Sequence, residues 1–128
     1  RDVERSRGLG DVYKRQAGSH LASACALTTI NTIEKEHLVE RAASLGGYFL
    51  TGLKRIESVL GHRVVEARGL GLMLALELDG GCADVVDAAL EHGLVFNCTA
   101  QRVLRFVPPL VIEREHIDRA INFLEENP

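Results

Sequence analysis

The amino-acid sequence predicts an α+β domain, in which a small antiparallel or mixed sheet of about four strands is backed by helices. Three observations carry this. Of two early segments, one is rich in alanine and leucine without Gly or Pro and the next repeats apolar residues at steps of three and four, as helices do. Four later segments are short, rich in β-branched or aliphatic residues and bounded by glycine or proline. A helical segment separates the two strand pairs and another closes the chain, so the order is ααββαββα.

The first helix is expected over Leu21 to Ile33, an alanine- and leucine-rich stretch without Gly or Pro that precedes Glu34-Lys35-Glu36. A second runs from about His37 to Leu60, with Leu38, Ala42, Leu45, Phe49, Leu53 and Ile56 along one face and mostly polar residues opposite. Gly46 and Gly47 interrupt it, each at about 1 kcal/mol relative to alanine. The apolar stripe keeps its phase across them, so they read as points of close packing rather than a break. Gly61-His62 ends the helix.

The period then changes to two. Strands are expected at Val64 to Ala67 and Leu70 to Leu78, the second with Leu72, Leu74, Leu76 and Leu78 on one face. Asp79-Gly80-Gly81 is a turn. A short helix from Cys82 to His92 closes at Gly93, where a left-handed residue commonly ends a helix. Strands Leu94 to Cys98 and Val103 to Val107 follow, stopped by Pro108-Pro109, which cannot extend a ladder. The last helix, about Glu113 to Glu126, buries Ile117, Ala120, Ile121 and Leu124 and carries Glu113 and Glu115 in its first turn.

Residues 1–16 differ from the rest. Five basic side chains are mixed with three acidic ones and two glycines, without periodicity, and this opening reads as disordered. It also resembles translated adapter sequence, which would make it foreign to the protein. The chain opens on Arg1 and its one methionine is Met73, so the opening is not expected to be a translation start, nor does it read as a signal peptide.

With 128 residues, 46% hydrophobic and 26% charged, the chain suits one soluble domain, expected in the cytoplasm. A net charge of −3 argues against nucleic acid as a partner, and no apolar run approaches the ~20 residues of a membrane span. Cys25, Cys82 and Cys98 are far apart and form no CxxC pair, so reduced, mostly buried thiols are expected. The five histidines are scattered, and no metal site is expected. Gly69-Leu70-Gly71 begins like a dinucleotide fingerprint, but Leu74 stands where the third glycine belongs, and the segment lies between strands. These glycines suit a tight bend or bulge instead.

Arg105 is the candidate binding residue. Alternation along Val103-Leu104-Arg105-Phe106-Val107 places it between Val103 and Val107, opposite Leu104 and Phe106. A guanidinium among aliphatic side chains requires an anion, and its planar fork suits a carboxylate gripped at two points. From spacing alone a salt bridge to Glu66 or Glu77, or an exposed edge position, is the commoner explanation. Arg102, at the turn, is a weaker candidate.

Leu21-Ala-Ser-Ala-Cys-Ala-Leu27, Val65-Glu-Ala-Arg-Gly-Leu-Gly-Leu-Met73, Gly93-Leu-Val-Phe-Asn97, Arg102-Val-Leu-Arg-Phe-Val-Pro-Pro-Leu110 and Glu115-His-Ile-Asp118 occur in that order. Together they closely resemble the C-terminal portion of class III aminotransferases, over about residues 17–128. The resemblance implies a linking helix over 17–36 from a large domain, then the small domain of a fold-type I aminotransferase over 37–128. It further implies amino-group transfer between N-acetylornithine, or a related ornithine derivative, and 2-oxoglutarate in arginine biosynthesis. Succinylornithine, ornithine and 4-aminobutyrate stay open as donors. The family uses pyridoxal 5′-phosphate and works as a homodimer. Arg105 matches the arginine before the Pro-Pro pair that grips the substrate α-carboxylate, and Arg68, in Arg-Gly-x-Gly, is expected to be structural.

Two departures accompany the resemblance. The family's Schiff-base lysine and the aspartate of its pyridine nitrogen lie upstream of the matching segment; Lys14, Lys35 and Lys54 do not replace the lysine. A glycine-rich stretch that reaches the cofactor phosphate is missing where His20 runs into Leu21. The chain alone is therefore expected to be inactive and to bind no cofactor productively. The rival reading is a stand-alone α+β module that binds an amino acid through Arg105.

Overall fold

The structure, a computed structural model, describes residues 19–127. The expected disorder of residues 1–16 lies outside the described residues. The chain divides into two compact units at His37/Leu38. His37 has a left-handed φ of 51°, which no helix interior tolerates.

The first unit contributes helix α1 (His20–Lys35). The Ser19 side chain accepts from the Ala22 N–H at 3.1 Å and caps it. Thr28, Thr29 and Thr32 turn their hydroxyls back onto carbonyls four residues earlier, which lets β-branched residues sit in a helix. Lys35 lies in the last turn, where the helix dipole favours a cation.

The second unit opens with α2 (Leu38–Val59). Leu38, Ala42, Phe49, Leu53 and Ile56 are buried and Leu45 half-buried, as the stripe requires. The sheet is built from β1 (Val64–Leu70), β2 (Met73–Leu78), β3 (Asn97–Thr99) and β4 (Val103–Phe106). Its order is β1-β2-β4-β3, antiparallel throughout. Helices α3 (Ala83–Glu91) and α4 (Arg114–Glu126) complete the unit. α2 packs across β1 and β2 and against α4.

Two strand boundaries differ from the sequence expectation. The first hairpin turns at Gly71-Leu72, so β1 runs on to Leu70 and Leu72 is buried in the turn. Gly71 takes φ 53° there, and at Gly69 (φ 148°) a Cβ would fall 2.3 Å from the Met73 carbonyl oxygen. β3 is only three residues long. The Leu94 N–H is drawn back to the Ala89 carbonyl and the Gly93 N–H to that of Leu90. This Schellman closure of α3, with Gly93 at φ 72°, keeps Leu94 out of the ladder.

Inside the sheet, Leu74, Leu76, Leu104 and Phe106 meet the apolar faces of α2 and α4. An aromatic chain binds the layers: Phe49 to Phe106 at 5.2 Å, Phe106 to Phe96 at 5.2 Å, and Phe96 to Phe123 at 5.8 Å between ring centres. Tilted and edge-on contacts of this kind add about 0.5–1.5 kcal/mol each beyond burial.

The cysteine expectation is corrected. Cys82, fully buried beside the N-terminus of α3, and Cys98 of β3 form a disulfide with Cα atoms 5.8 Å apart, while Cys25 is exposed. The β3–β4 hairpin folds back beside α3, and the Cys82 N–H donates to the Gln101 carbonyl at 2.9 Å. Thiol titration of the non-reduced, denatured chain should therefore find a single free thiol, Cys25.

Close packing at Gly46 is confirmed: a Cβ there would lie 2.0 Å from the Gly71 carbonyl oxygen, while at Gly47 nothing lies within 4 Å. The two glycines should separate cleanly in urea denaturation. Gly46→Ala should destabilise by about 1–3 kcal/mol despite alanine's helix propensity. Gly47→Ala should stabilise by up to ~1 kcal/mol.

Candidate functional site

With Leu104 and Phe106 held inward, alternation turns Arg105 to the outer face of the sheet, where it is exposed. Its register partners are Ala75 on β2 and Asn97 on β3. Ala75 in turn faces Arg68 on β1. One row across all four strands therefore reads Arg68, Ala75, Arg105, Asn97. The adjoining row on the same face reads Glu66, Glu77, Val103, Thr99.

The ion pairs on this face exclude one reading of Arg105. Arg68 Nη1 lies 2.8 Å from Glu66 Oε2 and 2.8 Å from Glu77 Oε2, and Arg102 Nη2 lies 2.8 Å from Glu77 Oε1. The salt bridge to Glu66 or Glu77 that spacing allows for Arg105 is thus made by Arg68 and Arg102. Arg105 takes part in no ion pair among the described residues. The hydrogen bond from Arg68 holds the Glu77 carboxyl below the usual carboxylate range. Glu77, in return, raises the Arg68 guanidinium above its ordinary value.

Arg105 borders two recesses. One, of about 440 Å³, is walled by Phe49, Phe96, Asn97, Pro108, Ile112 and His116. The other, a shallower groove of about 480 Å³, runs over Leu70, Met73, Ala75, Thr99 and Val103. A guanidinium with no carboxylate partner among the described residues, between apolar walls, is suited to a small carboxylate with an aliphatic body. A third cavity, about 240 Å³, reaches core Leu76 and Leu104 and is lined mostly by aliphatic side chains away from Arg105.

The wall after Arg105 is tied down. Arg41 Nη2 donates to the Ile112 carbonyl at 2.8 Å and meets that of Val111 at 3.5 Å, anchoring the segment after Pro108-Pro109 to α2. The Tyr48 hydroxyl donates to Asp118, and the Arg114 guanidinium stacks 4.1 Å from the Tyr48 ring centre, which fastens α4 to the same helix. Sequence reasoning missed Asn97 and His116 as neighbours of Arg105. Asn97 is legible only once the β3–β4 register is known; His116 comes from α4, eleven positions away, and nothing local signals it. Among the described residues no three metal-binding side chains gather, and no helix is long and apolar enough to cross a membrane.

Comparison with known proteins agrees with this geometry. The family model described as Aminotransferase class-III matches residues 8–127, beginning within the charged opening. The acetylornithine aminotransferase of Methanothermobacter thermautotrophicus is 46% identical over 115 residues, covering 90% of this chain and 29% of that protein. Its counterpart in Aquifex aeolicus is 50% identical over 103 residues, covering 80% and 26%. Among solved structures, the ornithine aminotransferase of Toxoplasma gondii superimposes with a TM-score of 0.75 at 35% identity, covering 83% of this chain and 26% of that one. The acetylornithine aminotransferase of Elizabethkingia anophelis gives 0.73 at 26% identity, covering 83% and 27%. The chain spans about three-tenths of the length of the curated relatives it matches.

A pH dependence follows from Glu77. Because its carboxyl is lowered in the folded state, its ion pairs contribute stability that is present above the unfolded value, about 4.3, and lost as pH falls through the lowered one. Thermal melts should show wild type more stable than Glu77→Gln at neutral pH. That gap should narrow on acidification below the ordinary carboxylate range.

Proposed function

Because this chain belongs to the class III aminotransferases, we propose that it is the substrate-gripping small domain of a pyridoxal-phosphate-dependent transaminase, with residues 17–36 linking it to a large domain. The single observation that carries this reading is the Arg105 guanidinium, which forms no ion pair among the described residues and stands between apolar walls, beside carboxylates already engaged by other arginines. A carboxylate is the anion its fork fits best. The proposed reaction moves an amino group between N-acetylornithine, or a related ornithine derivative, and 2-oxoglutarate, as a step of arginine biosynthesis. The names of the relatives support that donor, and solved ornithine aminotransferases keep the neighbouring ones open.

The described residues do not fit the cofactor by themselves. Their lysines, Lys35 and Lys54, are exposed on helices, and no lysine lines the recesses around Arg105. A lysine that condenses with a carbonyl must lie within reach of it, and neither of these lies at those recesses. We therefore assign cofactor binding to the rest of a longer enzyme, and to this chain the positioning of the substrate carboxylate. In that enzyme the protein is proposed to act as a cytoplasmic homodimer on small-molecule substrates.

Arg105→Lys in the full-length enzyme is the test. A point charge replaces a two-point fork, so kcat/KM for the amino-acid donor should fall by a factor equivalent to about 1–3 kcal/mol. Unchanged kinetics would remove the carboxylate role. Tight binding of an amino acid by the isolated chain, abolished in Arg105→Ala, would favour a stand-alone binding module instead.

A further inference from the structure

Glu77 is the residue around which the charges of the outer sheet face are arranged. Its side chain is only 13% exposed, so its carboxylate needs cationic partners to offset lost hydration. Glu77 pairs in register with Val103, and Ala75, two residues before it, pairs with both Arg68 and Arg105. Both arginines are therefore diagonal neighbours of Glu77, one on each side of β2. Diagonal neighbours on one sheet face lie about 7–8 Å apart at the backbone, well within reach of an arginine. Glu77 has two candidate partners at corresponding positions, yet it holds Arg68 and not Arg105.

Occupancy accounts for the choice. Oε2 of Glu77 takes Arg68 Nη1 and Oε1 takes Arg102 Nη2, each at 2.8 Å. Glu66, the other carboxylate of this row, takes Arg68 as well. Arg102 reaches Glu77 from the β3–β4 turn, where Ala100 and Gln101 both adopt left-handed φ values of 50° and 65°. The turn is also pinned where the Leu78 N–H donates to the Arg102 carbonyl at 2.8 Å.

We infer that Arg68 and Arg102 are positioning residues for the Arg105 carboxylate site, because by engaging both oxygens of Glu77 and offsetting its charge they hold that carboxylate away from Arg105. The inference rests on reading Arg105 as the substrate-carboxylate grip. Arg105 and a substrate carboxylate form the same kind of pair that Glu77 offers, at a far higher local concentration than any free ligand. A site of this design is open only while its internal competitor is engaged elsewhere. The Arg-Gly-x-Gly arginine thus gains a role in binding through a residue it never shares with the ligand.

The test follows Glu77 in the 128-residue chain with its glutamate side chains labelled for NMR, and reads affinity in the full-length enzyme that contains this domain, with 2-oxoglutarate as the probe. In an otherwise wild-type chain, Arg105→Met should leave the Glu77 titration unchanged. In R68M/R102M, Glu77 should still titrate below the ordinary range, now because Arg105 has closed on it, and adding R105M should release it upward. Glu77 returning to the ordinary range in R68M/R102M itself, with Arg105 in place, would overturn the inference. Affinity for 2-oxoglutarate should fall roughly threefold to tenfold in R68M/R102M and recover in R68M/R102M/E77Q; no recovery would equally overturn it. Should the double variant not fold, R102M alone, at an exposed turn, frees one oxygen and should show a smaller loss that E77Q reverses. The reading of Arg105 fails separately, when R105M alone binds 2-oxoglutarate as wild type does.

Discussion

The burial of Leu104 and Phe106 decides what the rest of this domain can do. Phe106 is clasped between Phe49 of α2 and Phe96, and Leu104 is fully buried. A β-strand has period two, so these two inward side chains commit Arg105 to the opposite face. A slip of one residue would send the guanidinium into an apolar core at a cost of several kcal/mol and expose both hydrophobes. The core thus sets which side chains reach the outer face, and buried Phe49 also walls one of the recesses that Arg105 borders.

The outer face is governed by how few anions it offers. Glu66 and Glu77 stand among Arg68, Arg102 and Arg105. Both carboxylates are engaged by Arg68 and Arg102, and the cation left over among the described residues is the one that borders two apolar recesses. A surplus charge in such a place suits the proposed carboxylate grip, and the exposed ion pairs around it contribute little to stability. The same scarcity makes the site sensitive to its neighbours, since any freed carboxylate on this face competes for Arg105.

Much of this was legible without a structure. The stripe of α2, the closure of α3 at Gly93, the Pro-Pro stop after β4 and the outward side of Arg105 all follow from local periodicity or from a residue's own backbone preference. The hairpin turn at Gly71-Leu72 was not, because leucines at alternate positions from Leu72 to Leu78 read as one continuous strand. The turn that delays that strand to Met73 sits where Gly71 approaches Gly46, 25 residues earlier in the chain. The disulfide was hidden for a like reason. Cys82 and Cys98 are 16 residues apart with a helix between them, and nothing in that spacing says the hairpin returns beside α3.

By itself, then, the sequence determined the element order and the buried faces, since each depends on interactions within a few residues of chain, while the binding role of Arg105 was singled out through the family resemblance of its Arg-Phe-Val-Pro-Pro segment. Only the tertiary structure decided which carboxylates pair with which arginines. Strand register sets those distances, and register is fixed by contacts among residues that are neighbours only after folding: Ala75 between Arg68 and Arg105, Glu77 beside Val103, Asn97 beside Arg105. A charge read along the chain shows what could bind; its partners across the sheet show what is left free to do so.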